Sequence, residues 1–251
     1  MSVVVAESRL GFDVLRLDSP GNRNALSLGL MAELADGVRR SAVGSSRGIL
    51  LEHAGPAFCS GVDLRERRGL PATDSSHTEA LAGLLELLWE FPRPVVALVD
   101  GAVRGGGMGL LVCADVVVAS PRSSFAYSEV RVGVAPALVL AVTLAHTPSR
   151  RLLPHALAGS EFGAAEAREL GVVTHIADEP VATGSLLLAE LTKGAPEAQA
   201  VVKQLSRRAA VPMAELLAQT ASLSSELFGR PEAAEGMAAF TERRAPAWVP
   251  A

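Results

Sequence analysis

Short apolar runs alternate with stretches of helical spacing through the first two thirds of this chain, and that alternation limits the fold more than any other feature. Gly48–Glu52, Val95–Val99 and Val116–Ala119 each read as a short buried strand. Val3–Val5 and Phe12–Leu17 read as two earlier strands, the second stopping at the turn Ser19-Pro20-Gly21-Asn22. Ser27 is placed to cap a helix running to about Arg40, with Leu28, Met31, Leu34, Ala35 and Val38 on one face. His77–Trp89 reads as a helix with Leu81, Leu84, Leu85 and Leu88 aligned. Pro136–His146 and Phe162–Gly171 read as further helices, Phe125–Tyr127 as a short extended piece, and Val172–Ile176 as a last strand. Strands joined by helical crossovers pair in parallel, so the body is expected to be α/β.

Beyond Val181 only helices are read: Leu186–Leu191, Ala198–Ala209, Met213–Phe228 and Pro231–Arg244. Two regions follow: an α/β core over residues 1–190 and a C-terminal helical region over 191–251. Helices that bury one face leave the other for a partner subunit. The Arg67–Ser76 stretch mixes glycine, proline and small polar residues and reads as a mobile surface loop.

The 251 residues are 49% hydrophobic and 20% charged, with a formal charge of -4, which supplies a core and weighs against a nucleic-acid partner. Arg65-Glu66-Arg67-Arg68 is the nearest approach to a basic cluster, and it contains its own acid. Cys59 and Cys113 read as buried free thiols rather than a disulfide framework. His53, His77, His146, His155 and His175 are scattered without metal-ligand spacing, so no metal is expected. Met1–Glu7 is not a basic segment followed by a long apolar one, and no window approaches the ~18 apolar residues of a membrane span. A cytoplasmic protein without membrane attachment is expected.

Two glycine-marked segments carry the chemistry. Ala57-Phe58-Cys59-Ser60-Gly61-Val62-Asp63-Leu64 and Gly101-Ala102-Val103-Arg104-Gly105-Gly106-Gly107-Met108-Gly109-Leu110 each follow a buried strand. Each is placed to offer backbone N–H groups rather than side chains, and two such loops meeting in space could form an oxyanion hole. The second opens a small-residue helix whose free N–H groups suit a phosphate, a carboxylate or a developing enolate. No Gly-Lys-Ser/Thr follows, and the Gly-x-Gly-x-x-Gly order is absent, which argues against a P-loop and a dinucleotide site. Asp63 is placed to cap the turn after the first loop. Asp115 reads as capping or structural. Glu129 stands among small and apolar residues in Tyr127–Val134, where partial desolvation would raise its pKa towards the working pH. A salt bridge to Arg131 is the bland alternative.

In this order the segments resemble the crotonase superfamily, the enoyl-CoA hydratase/isomerase family. The likeness begins at Leu17–Leu26, takes in both glycine loops and Ser128–Gly133, continues through Gly159–Gly171 and ends in Glu235–Pro246. It implies a crotonase-like superhelix of repeated β-β-α turns with a C-terminal helical region. It implies an acyl-CoA thioester as ligand, with coenzyme A entering as part of the substrate and no other cofactor, and a homotrimer or a hexamer of paired trimers. By the resemblance, the Val62 and Gly106 N–H groups fall on oxyanion-hole positions and Glu129 on an acid–base position. Arg23, Cys59, Gly61, Asp63 and Leu64 lie along the CoA path. Phe240 and Arg243 fall where the closing helix touches CoA, often across a subunit interface. Gly109 stands where hydratases of the two-glutamate kind carry their first glutamate. A hydratase-type lyase, a single-glutamate isomerase and a CoA-binding protein with lost catalysis are therefore the three readings. A collapsed pocket, or Glu129 turned to Arg131, would favour the last.

Overall fold

The computed structural model describes residues 3–68, 70–71, 74–147, 150–207 and 213–247. The chain opens with an antiparallel pair, β1 (Val4–Arg9) and β2 (Phe12–Leu17), in register from Val4 opposite Leu17 to Arg9 opposite Phe12. β1 runs past the expected Val5, because Glu7, Ser8 and Arg9 sit on a sheet edge where one face meets water. Helix α1 (Leu28–Val43) follows, capped as expected: the Ser27 hydroxyl accepts from the Leu30 N–H at 3.1 Å.

Three turns of one repeated unit come next. The first is β3 (Ile49–His53), β4 (Ala57–Cys59), the short helix α2 (Leu64–Arg68) and α3 (Ser76–Glu90). The second is β5 (Val95–Val99), β6 (Ala102–Arg104) and α4 (Gly106–Val112). The third is β7 (Val116–Ala119), β8 (Ser124–Ala126), a 3-10 helix (Ser128–Val132) and α5 (Ala137–His146). In each turn the first strand joins a six-stranded sheet and the second a four-stranded sheet. β2, β3, β5 and β7 pair in parallel, as do β4, β6 and β8. This is the β-β-α superhelix the resemblance implied.

α6 (Leu153–Ala158) leads to β9 (Phe162–Gly163), α7 (Ala164–Glu169) and β10 (His175–Ile176). The expected Phe162–Gly171 helix is thus split. Phe162 pairs with Phe125 across β8 and stacks on it at 5.9 Å, and the helix begins only at Ala164. β10 keeps only the end of the expected Val172–Ile176 strand, in parallel with β7. α8 (Pro180–Leu191) begins before the expected Leu186, with Pro180 in its first turn, followed by α9 (Pro196–Ser206), α10 (Met213–Phe228) and α11 (Pro231–Glu242). The end of the expected Ala198–Ala209 helix, at residues 208 and 209, lies outside the described residues, as do residues 69, 72 and 73 of the expected loop and 248–251 of the helical region.

Every residue of β5 is buried, because both faces of its sheet are covered. Leu98 and Val96 meet Phe12, Val14, Leu50 and Leu188 of α8 on one side, and Ala97 and Val99 join the main core on the other. Met213 and Leu217 of α10 belong to that main core, so the C-terminal helices extend it. Arg67 overturns the expectation of a surface charge. It lies in α2, 2% exposed, with its guanidinium 5.0 Å over the Phe228 ring and a bond to the Pro71 carbonyl at 3.1 Å. Among the described residues no helix is long and apolar enough to cross a membrane.

Candidate active site

β4 delivers the first loop. Gly61 takes φ +89°, open to glycine and strained for other residues. Its carbonyl accepts from Leu26 N at 2.8 Å, and Asp63 N donates to the Leu26 carbonyl at 3.2 Å. Val62 is bracketed by these two bonds and uses neither. Asp63 caps α2 as expected, its Oδ1 accepting from Arg65 N at 3.0 Å and Glu66 N at 3.3 Å. Glu66 then ties the loop outward, accepting from Leu28 N at 3.0 Å and facing His77 Nε2 at 3.1 Å.

β6 delivers the second loop. Gly105 takes φ +50° and donates to the Ala126 carbonyl at 3.1 Å, which ties it to β8. Gly106 is the first residue of α4, so its N–H has no partner within the helix. The two loops meet: a Cβ at Gly61 would lie 3.6 Å from Gly106 N and 3.6 Å from Gly105 Cα. Leu26 spans both. Its backbone holds the first loop, and its Cδ1 would stand 2.8 Å from a Cβ at Gly106. Among the described residues neither the Val62 nor the Gly106 N–H has an acceptor.

Glu129 completes the group. It sits in the 3-10 helix that Gly133 ends in the left-handed conformation. Its Oε1 would lie 3.4 Å from a Cβ at Gly105, and its Oε2 is buried without a hydrogen-bond partner. Burial pushes the carboxyl up to about 7, against a smaller opposing bond from its own backbone. Arg131 does not pair with it; the Arg131 Nε donates to the Ala158 carbonyl at 3.3 Å.

A cavity of about 460 Å³ opens onto these groups. Of the residues singled out in the sequence, Arg23, Gly61, Val62, Leu64, Gly106, Glu129 and Phe240 line it, and Cys59, Asp63, Gly109 and Arg243 do not. Cys59 packs behind the second loop, where a Cβ at Gly107 would come within 2.7 Å of its own, and burial raises its thiol to about 12. Gly109 faces Leu85 and Val139, whose methyls would stand 3.0 and 3.6 Å from a Cβ there. Arg243 ends α11 in the left-handed conformation, which leaves the neighbouring Arg244 to line the cavity. Phe240 lines the cavity of its own chain.

Sequence reasoning missed the rest of the wall. Leu81 comes from the apolar face of α3, Val134 to Val139 from the turn into α5 and its first residues, and Phe228 from the end of α10. Arg104 stood inside the second quoted segment but gave no signal of its own. It binds Glu161 at 2.8 Å and the Ser124 carbonyl at 2.7 Å. Among the described residues no group of three or more His, Cys, Asp or Glu is placed to hold a metal ion. A buried carboxyl raised to about 7 beside two unpaired N–H groups can move a proton next to an oxygen that takes up negative charge.

Residues 8–250 match the family model described as enoyl-CoA hydratase/isomerase. The chain belongs to this family. Among its relatives is a protein of Rhodobacter capsulatus named probable enoyl-CoA hydratase. The two are 32% identical over 247 residues, 94% of this chain and 93% of that one. A crystal structure of an enoyl-CoA hydratase from Mycobacterium avium is 35% identical, with a TM-score of 0.88 over 99% of this chain and 100% of that one. A putative polyketide biosynthesis enoyl-CoA hydratase of Bacillus subtilis shares the fold at 20% identity, with a TM-score of 0.88 over 97% of this chain and 98% of that one. The crotonase-type spiral that the motif order implied is the fold of these enoyl-CoA hydratase/isomerase family structures.

Proposed function

We propose that this chain hydrates an enoyl-CoA thioester, with Glu129 as the acid–base residue and the Val62 and Gly106 N–H groups as the oxyanion hole. The observation that carries the reading is the convergence of a buried carboxyl with one partnerless oxygen, raised to about 7, with two acceptor-free N–H groups at one cavity. The thioester oxygen accepts from both N–H groups. Water adds to C3 and gives a proton to the Glu129 carboxylate, while the electrons of the double bond move to the thioester oxygen as an enolate. The enolate collapses, C2 takes the proton back from Glu129, and the carboxylate is restored. One water is gained and nothing else is consumed. A pKa near the working pH keeps both forms of the carboxyl accessible, and each N–H donor is worth about 10²–10³ in rate.

Coenzyme A enters as part of the substrate. Arg23, Leu64 and Phe240 are the side chains we assign to its path, with Gly61 backing the thioester. Cys59 and Asp63 support that path from behind, and Arg243 gives up its place on it to Arg244. Assembly into trimers or hexamers belongs to the same proposal, and the exposed Leu186, Val201, Val202 and Leu205 on α8 and α9 favour it.

A second reading, double-bond migration, has its own observation. Glu129 is the only carboxylate lining the cavity among the described residues, and Leu85 and Val139 close the space beside Gly109. One carboxyl suffices to take a proton from C2 or C4 and return it at the other. A panel of enoyl-CoA substrates in deuterated water separates the two. A mass gain of one water means hydration. Double-bond movement with deuterium uptake and no water gained means isomerisation and replaces the first reading. Binding without turnover removes both.

A further inference from the structure

α11 rests on the 3-10 helix that carries Glu129, and the contact is main chain against main chain. A Cβ at Gly236 would lie 2.5 Å from the carbonyl carbon of Val132 and 2.6 Å from its oxygen. From the other side, a Cβ at Gly133 would lie 2.5 Å from the Glu232 carbonyl oxygen and 2.9 Å from Ala233 N. Each element thus presents a glycine to the backbone of the other, and no flexible side chain lies between them to give way. Val134, Ala233 and Met237 seal the contact as a small apolar cluster. The chain beyond α11 folds back on the helix itself: Arg244 binds both oxygens of Glu235 at 2.6 and 2.9 Å, and Ala247 N donates to Glu235 at 2.8 Å.

Glu129 stands at the other end of the same 3-10 helix. Val134 N donates to its carbonyl at 3.2 Å and Gly133 N to the Val130 carbonyl at 3.3 Å, so residues 129–134 form one hydrogen-bonded block. The side chain is steered by nothing outside the block: Oε2 has no partner, and the bond the carboxyl takes is from its own backbone. Its place over Gly105 is therefore set by where that block sits. We propose that α11, through the reciprocal Gly236–Gly133 contact, positions the Glu129 carboxyl against the two glycine loops, which makes both glycines positioning residues. The proposal rests on the assignment of Glu129 as the acid–base residue.

The charged and titratable groups around that carboxyl are Arg131 on its own element, Tyr127 just past β8, Arg104 from β6, Arg23 between β2 and α1, Glu232 at the start of α11 and Arg244 just past its end. None donates a hydrogen bond to Glu129, and burial is the first cause of its raised pKa. Lifting α11 off the block lets water in and reverses that cause.

The test is kcat and KM against pH for Gly236→Ala, with Gly83→Ala as the control, a helical glycine with nothing within 4 Å of its added Cβ. We expect Gly236→Ala to lower kcat by about 10²-fold, the order of loss for a catalytic group displaced by an ångström, with KM little changed. We also expect the acid limb of kcat to move below 7, towards the ordinary carboxylate range. Gly83→Ala should match the parent. If Gly236→Ala does not fold, Met237→Ala, which removes part of the apolar seal between α11 and the block, carries the test alone with the same shift of the limb and a smaller loss. An unmoved limb and parental kcat in the folded variant, in a protein that Glu129→Gln inactivates, overturns the positioning role and leaves Glu129 assigned. Full activity of Glu129→Gln overturns the assignment itself.

Discussion

Glu129 and Asp115 are both half-buried carboxyls, one beside the N-terminal end of α4 and one just past its C-terminal end, and the fold surrounds them with opposite company. Asp115 accepts from Val95 N at 2.8 Å, Lys203 Nζ at 2.7 Å and the Arg207 guanidinium at 2.8 Å. Both cations are satisfied further: Lys203 donates to the Arg93 carbonyl at 2.9 Å, and Arg207 to the Cys113 carbonyl at 2.6 Å with its guanidinium 4.8 Å over the Trp89 ring. Glu129 has a buried oxygen with no partner at all. An acid saturated with donors is a staple, here fastening α9 to the sheet. An acid left bare costs stability and holds its proton near neutral pH, an arrangement that chains keep where the proton is used.

The comparison breaks most visibly through activity and stability taken together. Glu129→Gln should cut kcat/KM by about 10²–10⁴, the usual worth of a general acid–base group, while the circular-dichroism spectrum stays the same. Asp115→Ala should do the reverse. It strands two buried cations, and breaking such a cluster from one side costs about 3–5 kcal/mol, read from urea melts, with turnover per folded molecule near the parent's. A stable Asp115→Ala protein without activity would exchange the two roles.

A smaller effect sharpens the site's side of the contrast. Gly106→Ala places a methyl 2.8 Å from Leu26 Cδ1 and 3.3 Å from Leu81 Cδ2. Leu26 also brackets Val62, so the methyl should spread the two N–H groups. We expect kcat to fall by roughly tenfold, less than the about 10²–10³ lost with an entire donor. A larger rise in KM than fall in kcat would mean that the N–H groups bind the ground state and the transition state alike.

Why some of this was readable from the chain follows from how far each interaction reaches. The Ser27 and Asp63 caps bond within three residues of themselves, so their spacing gave them away. β5 is buried on both faces and therefore apolar throughout. Glu129 was legible because the residues beside it in sequence are small and apolar, as the residues it meets from other elements, Gly105 among them, are small too. β6 was not: three residues inside a glycine-rich segment form a strand only because β4 and β8 lie on either side. Arg67 was misread because the ring that shelters it, Phe228, arrives from α10. Arg243 and Arg244 differ only in that the left-handed residue at 243 turns the chain, which places the second guanidinium at the cavity. Loop caps and strand patterns are local facts; walls and shelters are made by partners that composition does not announce.

The smallest effect bears most directly on the bare acid. In the folded chain the Glu129 carboxyl titrates near 7, while in the unfolded chain it titrates in the ordinary range near 4.5. Below that range both states hold the proton and the group contributes no difference. As pH rises towards 7 the unfolded state gives up its proton first, so the folded state binds more protons and stability falls with pH across this window, levelling above 7. Glu129→Gln removes that slope. The variant should melt with the parent near pH 4 and progressively above it up to pH 7, by on the order of 1–3 kcal/mol at about 2–4 °C per kcal/mol for a chain of this size. A melting difference that stays constant from pH 4 to 8 would mean that the carboxyl is solvated in the folded protein, and its lack of partners would then carry no titration signature.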